Sequence, residues 1–508
     1  MISASISKQR GSGLNPEKQP EQYFRMLDAN NQHITPIPIE SQVPEAKKST
    51  QRTWLLLCDA AVVLGLGLCL LWGASTQFSN RYNDVTRYQC YAIAFWQGQS
   101  GLQAYGLEAT PASQCSFLQA DSSASLAIRL RQHQLPSFLL GLLDAQSTAQ
   151  PFHALPPEYP FLTLLPFSLP LLAPFAWYQV VFALLMIVLA GLLYIVLLRS
   201  QTRAAALAFA FYLALGSWAT AAGRFDLIPA GLTLGAVLLA GKNRWNWAFS
   251  LLALATLCKF YPVLLVVPFW LAQQLHYKDV KWTSWKRWSG FSIFVGLSAL
   301  VTLVSLLLNV ADTLIPFTYF LNRPIQIESF PGTLIWFSSL LGHPTQYNMA
   351  YQSLNFVSSL TRFISPLTTM LELAALLYTF WLQWRGKLDI YAASLLTLLI
   401  IIVTGKVFSP QYLIWVAPLV ALVGKAHWKW LISWSLVCAL TTFMFPLHYS
   451  GLQEIQQFYA VICVRNLLIL SITGTLLVWY HRRHALLADN VLAQGQREPA
   501  IELAQRRE

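Results

Sequence analysis

Lys259 is the one full charge in the run AFSLLALATLCKFYPVLLVVPFWLA, residues 248–272. A lysine at membrane depth costs about 2.5–3.5 kcal/mol on insertion scales, so chains keep one where it lines a polar cavity or reaches the interface. It has company. Asp84, Tyr159, Arg224 with Asp226, Arg323 with Glu328, and Lys406 with Gln411 and Tyr412 all stand at or near the ends of apolar segments. A positioned carboxylate can take a proton from a hydroxyl. Lysine offers an anion a point charge, and arginine a fork. Two arrangements fit this set. Either the charges gather in one vestibule sunk below the membrane surface, or each basic side chain snorkels alone to the headgroups. Acids and bases occurring together favour the vestibule.

The elements that must hold these residues are helices. The chain has 508 residues, 55% hydrophobic and 11% charged, against about 25% charged in soluble proteins. Apolar stretches recur from Trp54 to Tyr480. The fold class expected is an all-α polytopic membrane protein of about twelve transmembrane helices, with a long first extracytoplasmic loop carrying amphipathic helices. Residues 1–52 read as a disordered cytoplasmic tail, 53–480 as the membrane domain, and 481–508 as a second cytoplasmic tail. Basic connections such as Arg199–Arg203, Lys242–Arg244 and Arg385–Lys387 mark the cytoplasmic side. That places the chemistry-bearing segments outside. Tyr159 to Pro174, short and rich in proline, reads as re-entrant or interfacial. Segments 226–240 and 412–423 are short, as a sunken vestibule requires.

The net charge of +12 is spread singly over short connections, which excludes a nucleic-acid module. The sequence has no zinc spacing, no phosphate-binding glycine loop and no dinucleotide fingerprint. The first outer loop, residues 74–157, is far longer than a normal connection. Within it, Asp84 to Gly98 reads as a short amphipathic helix with Asp84 as N-cap and Gly98 as its stop. Asp84 is either a plain cap or a carboxylate placed to deprotonate an acceptor hydroxyl at the membrane surface. A second amphipathic stretch is expected from Ser125 to Asp144, broken near Pro136. Cys90 and Cys115 share this loop and can pair outside a cell. The other five cysteines read as core fillers.

Each remaining residue carries a plainer reading beside the functional one. Arg224 can pair with Asp226 at a helix start. Arg323 can pair with Glu328 within a loop. Lys406 can be an interface anchor and Tyr412 part of an aromatic belt. Tyr159-Pro160 can serve backbone shape alone. His153, His343 and His448 read as surface residues.

Several of these segments, taken in order, resemble glycosyltransferase family 87, membrane enzymes of the GT-C superfamily that use polyprenyl-phosphate sugars. The matching stretches are Asp84 through Gly98 with Tyr105, Pro157-Glu158-Tyr159-Pro160, Gly223-Arg224-Phe225-Asp226-Leu227-Ile228-Pro229, Lys259-Phe260-Tyr261-Pro262, Arg323 through Ser329, and Lys406 through Tyr412. Relatives often have Tyr-Pro-Pro where this chain has Tyr159-Pro160-Phe161. The resemblance implies a GT-C-like helical bundle and transfer of a hexose, with mannose favoured, to a lipid or glycan acceptor. It places the catalytic carboxylate at Asp84, with Glu328 as second choice. Lys259, Arg323, Lys406 and Arg224 would bind the donor phosphate, and Asp226, Tyr159, Gln411 and Tyr412 the substrate. No metal site is assigned, although some relatives use a divalent ion. The partners implied are the bilayer, the polyprenyl-phosphate sugar donor and the acceptor, with no nucleic acid. The rival reading is a lipid or sugar transporter or flippase. Convergence of Asp84 and the basic set on one cavity would favour the enzyme.

Overall fold

A chain in lipid must satisfy its backbone internally, which leaves helices as the default for apolar sequence. The computed structural model describes residues 45–78, 83–107, 115, 136–148, 154–156, 158–351 and 353–505, and its regular structure is almost entirely helical. The fold class read from the sequence is the one observed, an all-α polytopic membrane protein. Among the described residues, six helices are long and apolar enough to cross a membrane: Thr53–Ser75, Phe175–Ser200, Trp285–Leu308, Thr361–Trp384, Trp428–Leu447 and Tyr459–Arg482. Residues 1–57 form a unit of their own, helical over 45–57; all that follows lies within Cys58–Glu508.

Among the described residues six further apolar segments are shorter: Phe161–Leu172, a series of short turns, and the helices Arg203–Gly216, Leu227–Gly241, Trp245–Cys258, Ile390–Thr404 and Tyr412–Gly424. At 1.5 Å per residue these helices reach only about 20–22 Å, less than a hydrocarbon core of roughly 30 Å. Four of them begin or end at chemistry-bearing residues. Asp226 precedes one, Lys259 follows another, Lys406 lies just past a third, and Gln411 precedes the fourth. Their shortness leaves room for polar segments within the depth of the bundle.

Side-chain ties fix how these helices meet. Asp59 in the first helix is buried, accepts from the Tyr194 hydroxyl at 2.8 Å, and pairs with Arg203 at 2.7 Å. At the other end of the same helix, Gly73 packs on the turn before Arg224. A Cβ there would lie 2.0 Å from the Trp218 carbonyl oxygen. Trp72 stacks on Trp218, and the Gln77 side chain donates to the Ala219 carbonyl at 2.7 Å. The chain leading to Asp84 is thus docked on the turn leading to Arg224.

Several local expectations are corrected. Asp84 is not the N-cap of its helix. Asn83 is, with extended backbone and a side-chain oxygen that accepts from the Thr86 amide at 2.8 Å. The Asn83 amide is itself held by the Gln77 carbonyl and the Gln179 side chain. This shift of one residue leaves the Asp84 carboxylate available for other partners. The helix also runs past Gly98 to Ala104; Gly98, at φ 63°, kinks it instead of stopping it. Residues 161–172 form a chain of one-turn helices with prolines at their joints. An antiparallel hairpin of Gln346–Ala350 and Ser353–Val357, not anticipated, interrupts the helices. Of the stretch Ser125–Asp144, the part before Pro136 lies outside the described residues, and a helix covers Ser137–Thr148. Cys58 is exposed, so it fills no core; Cys258, Cys438 and Cys463 do.

Candidate active site

Buried aromatic rings bring three of the motif segments together. Tyr88 stacks on Phe167 at 4.2 Å between centroids and meets Phe225 edge-on at 5.6 Å. Tyr159 meets Phe225 edge-on at 4.9 Å. Such pairs each contribute about 0.5–1.5 kcal/mol beyond area burial. Tyr88, Tyr159 and Phe225 carry charge near them in sequence. Asp84 lies one helical turn before Tyr88, Glu158 adjoins Tyr159, and Arg224 and Asp226 flank Phe225. Packing the rings therefore converges the charges.

They line a cavity of about 620 Å³. Its wall includes Asp84, Arg87, Glu158, Tyr159, Arg224 and Lys259 on one side of the sequence, and Arg323, Gln326, Lys406, Gln411, Tyr412 and Trp415 on the other. Asp84 lies between two arginines. Its Oδ2 pairs with Arg224, and its Oδ1 lies 3.3 Å from Arg87. Arg87 also pairs with Glu158, tying the first-loop helix to the Tyr159-Pro160 segment. The plainer alternative of an Arg224–Asp226 pair is not the one observed. Arg224 turns to Asp84, and Asp226 turns to Lys259.

Lys259 does not snorkel. Its side chain is 11% exposed, and Nζ lies 2.5 Å from Asp226 Oδ1, whose side chain is 1% exposed. The rings of Trp415, Phe225 and Tyr159 surround the ammonium at 4.9, 5.0 and 5.7 Å. The Trp415 indole N–H donates to the same Asp226 oxygen. Trp415 stacks with both Tyr261 and Tyr412, which links the Lys259 motif to the Tyr412 motif.

The second wall is a loop pair. The Gln326 amide donates to the Lys406 carbonyl at 2.9 Å, and the Ile327 amide to the Leu354 carbonyl at 3.1 Å. The hairpin thus acts as a brace for residues 323–329. Arg323 Nη2 lies 3.5 Å from Ser353 Oγ. Burial, and then Arg323, push the Lys406 ammonium below its ordinary value. Gln411 accepts from the Ser409 hydroxyl and faces the cavity. Glu328 is placed differently from its expected role. It does not line the cavity, is 2% exposed, and its Oε1 has no hydrogen-bond partner. Burial pushes its carboxyl up to about 7, against the pull of Arg465 and Arg224.

Asp84, Tyr159, Arg224, Lys259, Arg323, Lys406, Gln411 and Tyr412 share one cavity, and Asp226 sits directly behind it. Arg87, Glu158 and Trp415 share it too; the sequence assigns them no role, although Arg87 and Glu158 lie within the family-like segments. His343 is exposed and His448 is stacked on Phe443, both away from the cavity; His153 lies outside the described residues. Cys90 and Cys115 form a disulfide, packed with Ile93, Leu102 and Leu107. Among the described residues, no group of three or more His, Cys, Asp or Glu is placed to hold a metal ion.

Residues 159–410 match the family model of glycosyltransferase family 87. No curated protein matches the chain. The matched span begins at Tyr159 and ends at Pro410, so it takes in most of the cavity wall but not Asp84, Arg87, Glu158, Gln411, Tyr412 or Trp415.

Proposed function

Because the chain belongs to glycosyltransferase family 87 and is a membrane glycosyltransferase, we propose that it moves a hexose from a polyprenyl-phosphate donor to a lipid or glycan acceptor. The reaction runs at the extracytoplasmic face, and mannose is the sugar. The observation that carries this reading is that Asp84, held by Arg224 and Arg87, shares a single cavity with Glu158 and the further cations Lys259, Arg323 and Lys406. Such convergence is expected of an enzyme and supports it over the transporter reading.

In the mechanism, Asp84 accepts the proton of the acceptor hydroxyl as its oxygen attacks the anomeric carbon. The bond from that carbon to the phosphate oxygen breaks on the opposite side, and the configuration inverts. The phosphate leaves as an anion, and fixed cations at that point stabilise the transition state more than the ground state. Arg224 bridges the two halves of the reaction: it holds Asp84 and faces the same cavity as Lys406 and Arg323. Tyr159, Tyr412 and Gln411 offer the sugar ring faces and an amide. Asp226 neutralises Lys259 and orients it.

Purified protein incubated with radiolabelled polyprenyl-phosphate hexoses and a membrane lipid extract tests the reading. Label should move to a new lipid or glycan species. Movement of intact donor across vesicle membranes with no transfer would instead establish a transporter.

A further inference from the structure

The last membrane helix carries an arginine in an apolar run, and it is fully buried: Arg465, at 0% exposure. It lies outside the matched residues 159–410. An intramembrane arginine persists when the bundle supplies partners, and its partners here belong to the cavity's second wall. Arg465 Nη2 donates to the Glu328 carbonyl at 2.6 Å. Nη2 and Nε also donate to Asn466 Oδ1 at 3.0 and 3.2 Å. Asn466 Nδ2 donates to the same Glu328 carbonyl at 3.1 Å and to Thr333 Oγ1 at 2.9 Å. The face of the guanidinium lies 4.0 Å from the centroid of Phe408. Arg465 therefore holds residues 323–329 through its hydrogen bond to Glu328, seconded by Asn466, and residues 406–412 through a stacked ring.

Buried polar atoms are normally all paired. In this layer Arg465 Nη1, Glu328 Oε1 and Gln326 Oε1 are not, and Gln326 lines the cavity. The layer gives up hydrogen bonds that a purely structural core would keep. We propose that Arg465 is a positioning residue, fixing the 323–329 and 406–412 loops so that Arg323, Gln326 and Lys406 meet the donor phosphate. This rests on the donor-phosphate reading of those loops. Arg465 does not line the cavity and touches no reacting atom. Its planar fork both stacks and donates, which a lysine cannot do.

The test compares wild type with Arg465→Lys, Arg465→Gln and Phe408→Leu, the last removing the stacked ring without leaving a charge unpaired. Amide exchange in detergent should show lost protection in residues 323–329 and 406–412, with the Asp84–Ala104 helix unchanged. Donor KM should rise about tenfold or more, with acceptor KM within about twofold. Wild-type exchange in those loops, an unchanged donor KM in an active variant, or loss of protection spread over the whole bundle would each overturn the proposal. If the wild-type protein accepts no polyprenyl-phosphate sugar, the functional reading fails, and the exchange data still decide the positioning role.

Discussion

Lys259 and Asp226 form a buried ion pair, Nζ to Oδ1 at 2.5 Å, inside a cage of Trp415, Phe225 and Tyr159. The lysine that looks costly in the sequence is matched by a carboxylate 33 residues earlier. Asp226 would be equally costly without it. Removing one partner of a buried pair costs about 3–5 kcal/mol, because the other charge is left stranded. Lys259→Met should therefore lower the unfolding midpoint in detergent. Lys259→Met/Asp226→Asn should recover most of the stability without recovering transfer. A single variant as stable as wild type would contradict the pairing.

Arg224 grips Asp84 and faces the cavity, so its loss removes a clamp and a cation together. Arg224→Gln should lower kcat/KM for the donor by about 10²-fold, the scale for one transition-state contact. Arg224→Lys should retain part of that activity, as it keeps the charge but not the fork. Equal activity of all three proteins would rule out the role. Initial-rate kinetics at varied donor concentration give the answer.

Much of this was legible from isolated charges. In a chain that is 11% charged, Asp84, Arg224, Lys259, Arg323 and Lys406 stand out, and all reach one cavity. Their partners were not legible. Arg224 meets Asp84 and Asp226 meets Lys259 because aromatic packing sets the geometry between distant segments, and no local pattern encodes it. The cap moved from Asp84 to Asn83 because both residue types cap well, and the Gln179 contact that selects Asn83 is tertiary. Arg465 carries the same signal as Lys259, a charge in an apolar span, but stands outside any motif that would assign it a role. The 346–357 hairpin is too short and too mixed to show a period. Trp415 was indistinguishable from the other tryptophans of a membrane chain.

Glu328 gives the protein a pH-dependent stability. Burial pushes its carboxyl from 4.5 up to about 7, with Arg465 and Arg224 opposing. Tyr412, Tyr449 and Tyr459 also feel its charge. The folded protein holds a proton that the unfolded chain releases between those values. Its contribution is therefore full below pH 4.5 and lost as pH rises through about 7, by on the order of 3 kcal/mol over the window. Glu328→Gln should flatten this fall and raise the unfolding midpoint at about pH 8 by a few degrees. Parallel pH curves for the two proteins would contradict the buried, raised carboxyl.

The Cys90–Cys115 disulfide closes a sequence separation of 25 residues. A loop of that size corresponds to about 3 kcal/mol of stabilisation. Reduction, or Cys90→Ser/Cys115→Ser, should loosen the helix that carries Asp84. Amide exchange in residues 84–107 should then rise while the membrane spans stay protected. Unchanged exchange on reduction would show that packing alone holds this helix.

The central claim is that Asp84 takes the acceptor proton. Asp84→Asn keeps the side-chain shape but removes the base, leaving one acceptor oxygen where Arg224 and Arg87 had two; general-base catalysis contributes about 10²–10⁴-fold. The decisive measurement is kcat for hexose transfer by Asp84→Asn protein whose unfolding midpoint matches wild type. A fall of at least about 10²-fold, with donor KM little changed, is the result predicted. Wild-type kcat in the folded variant would contradict the mechanism and return Asp84 to a structural role at the start of its helix.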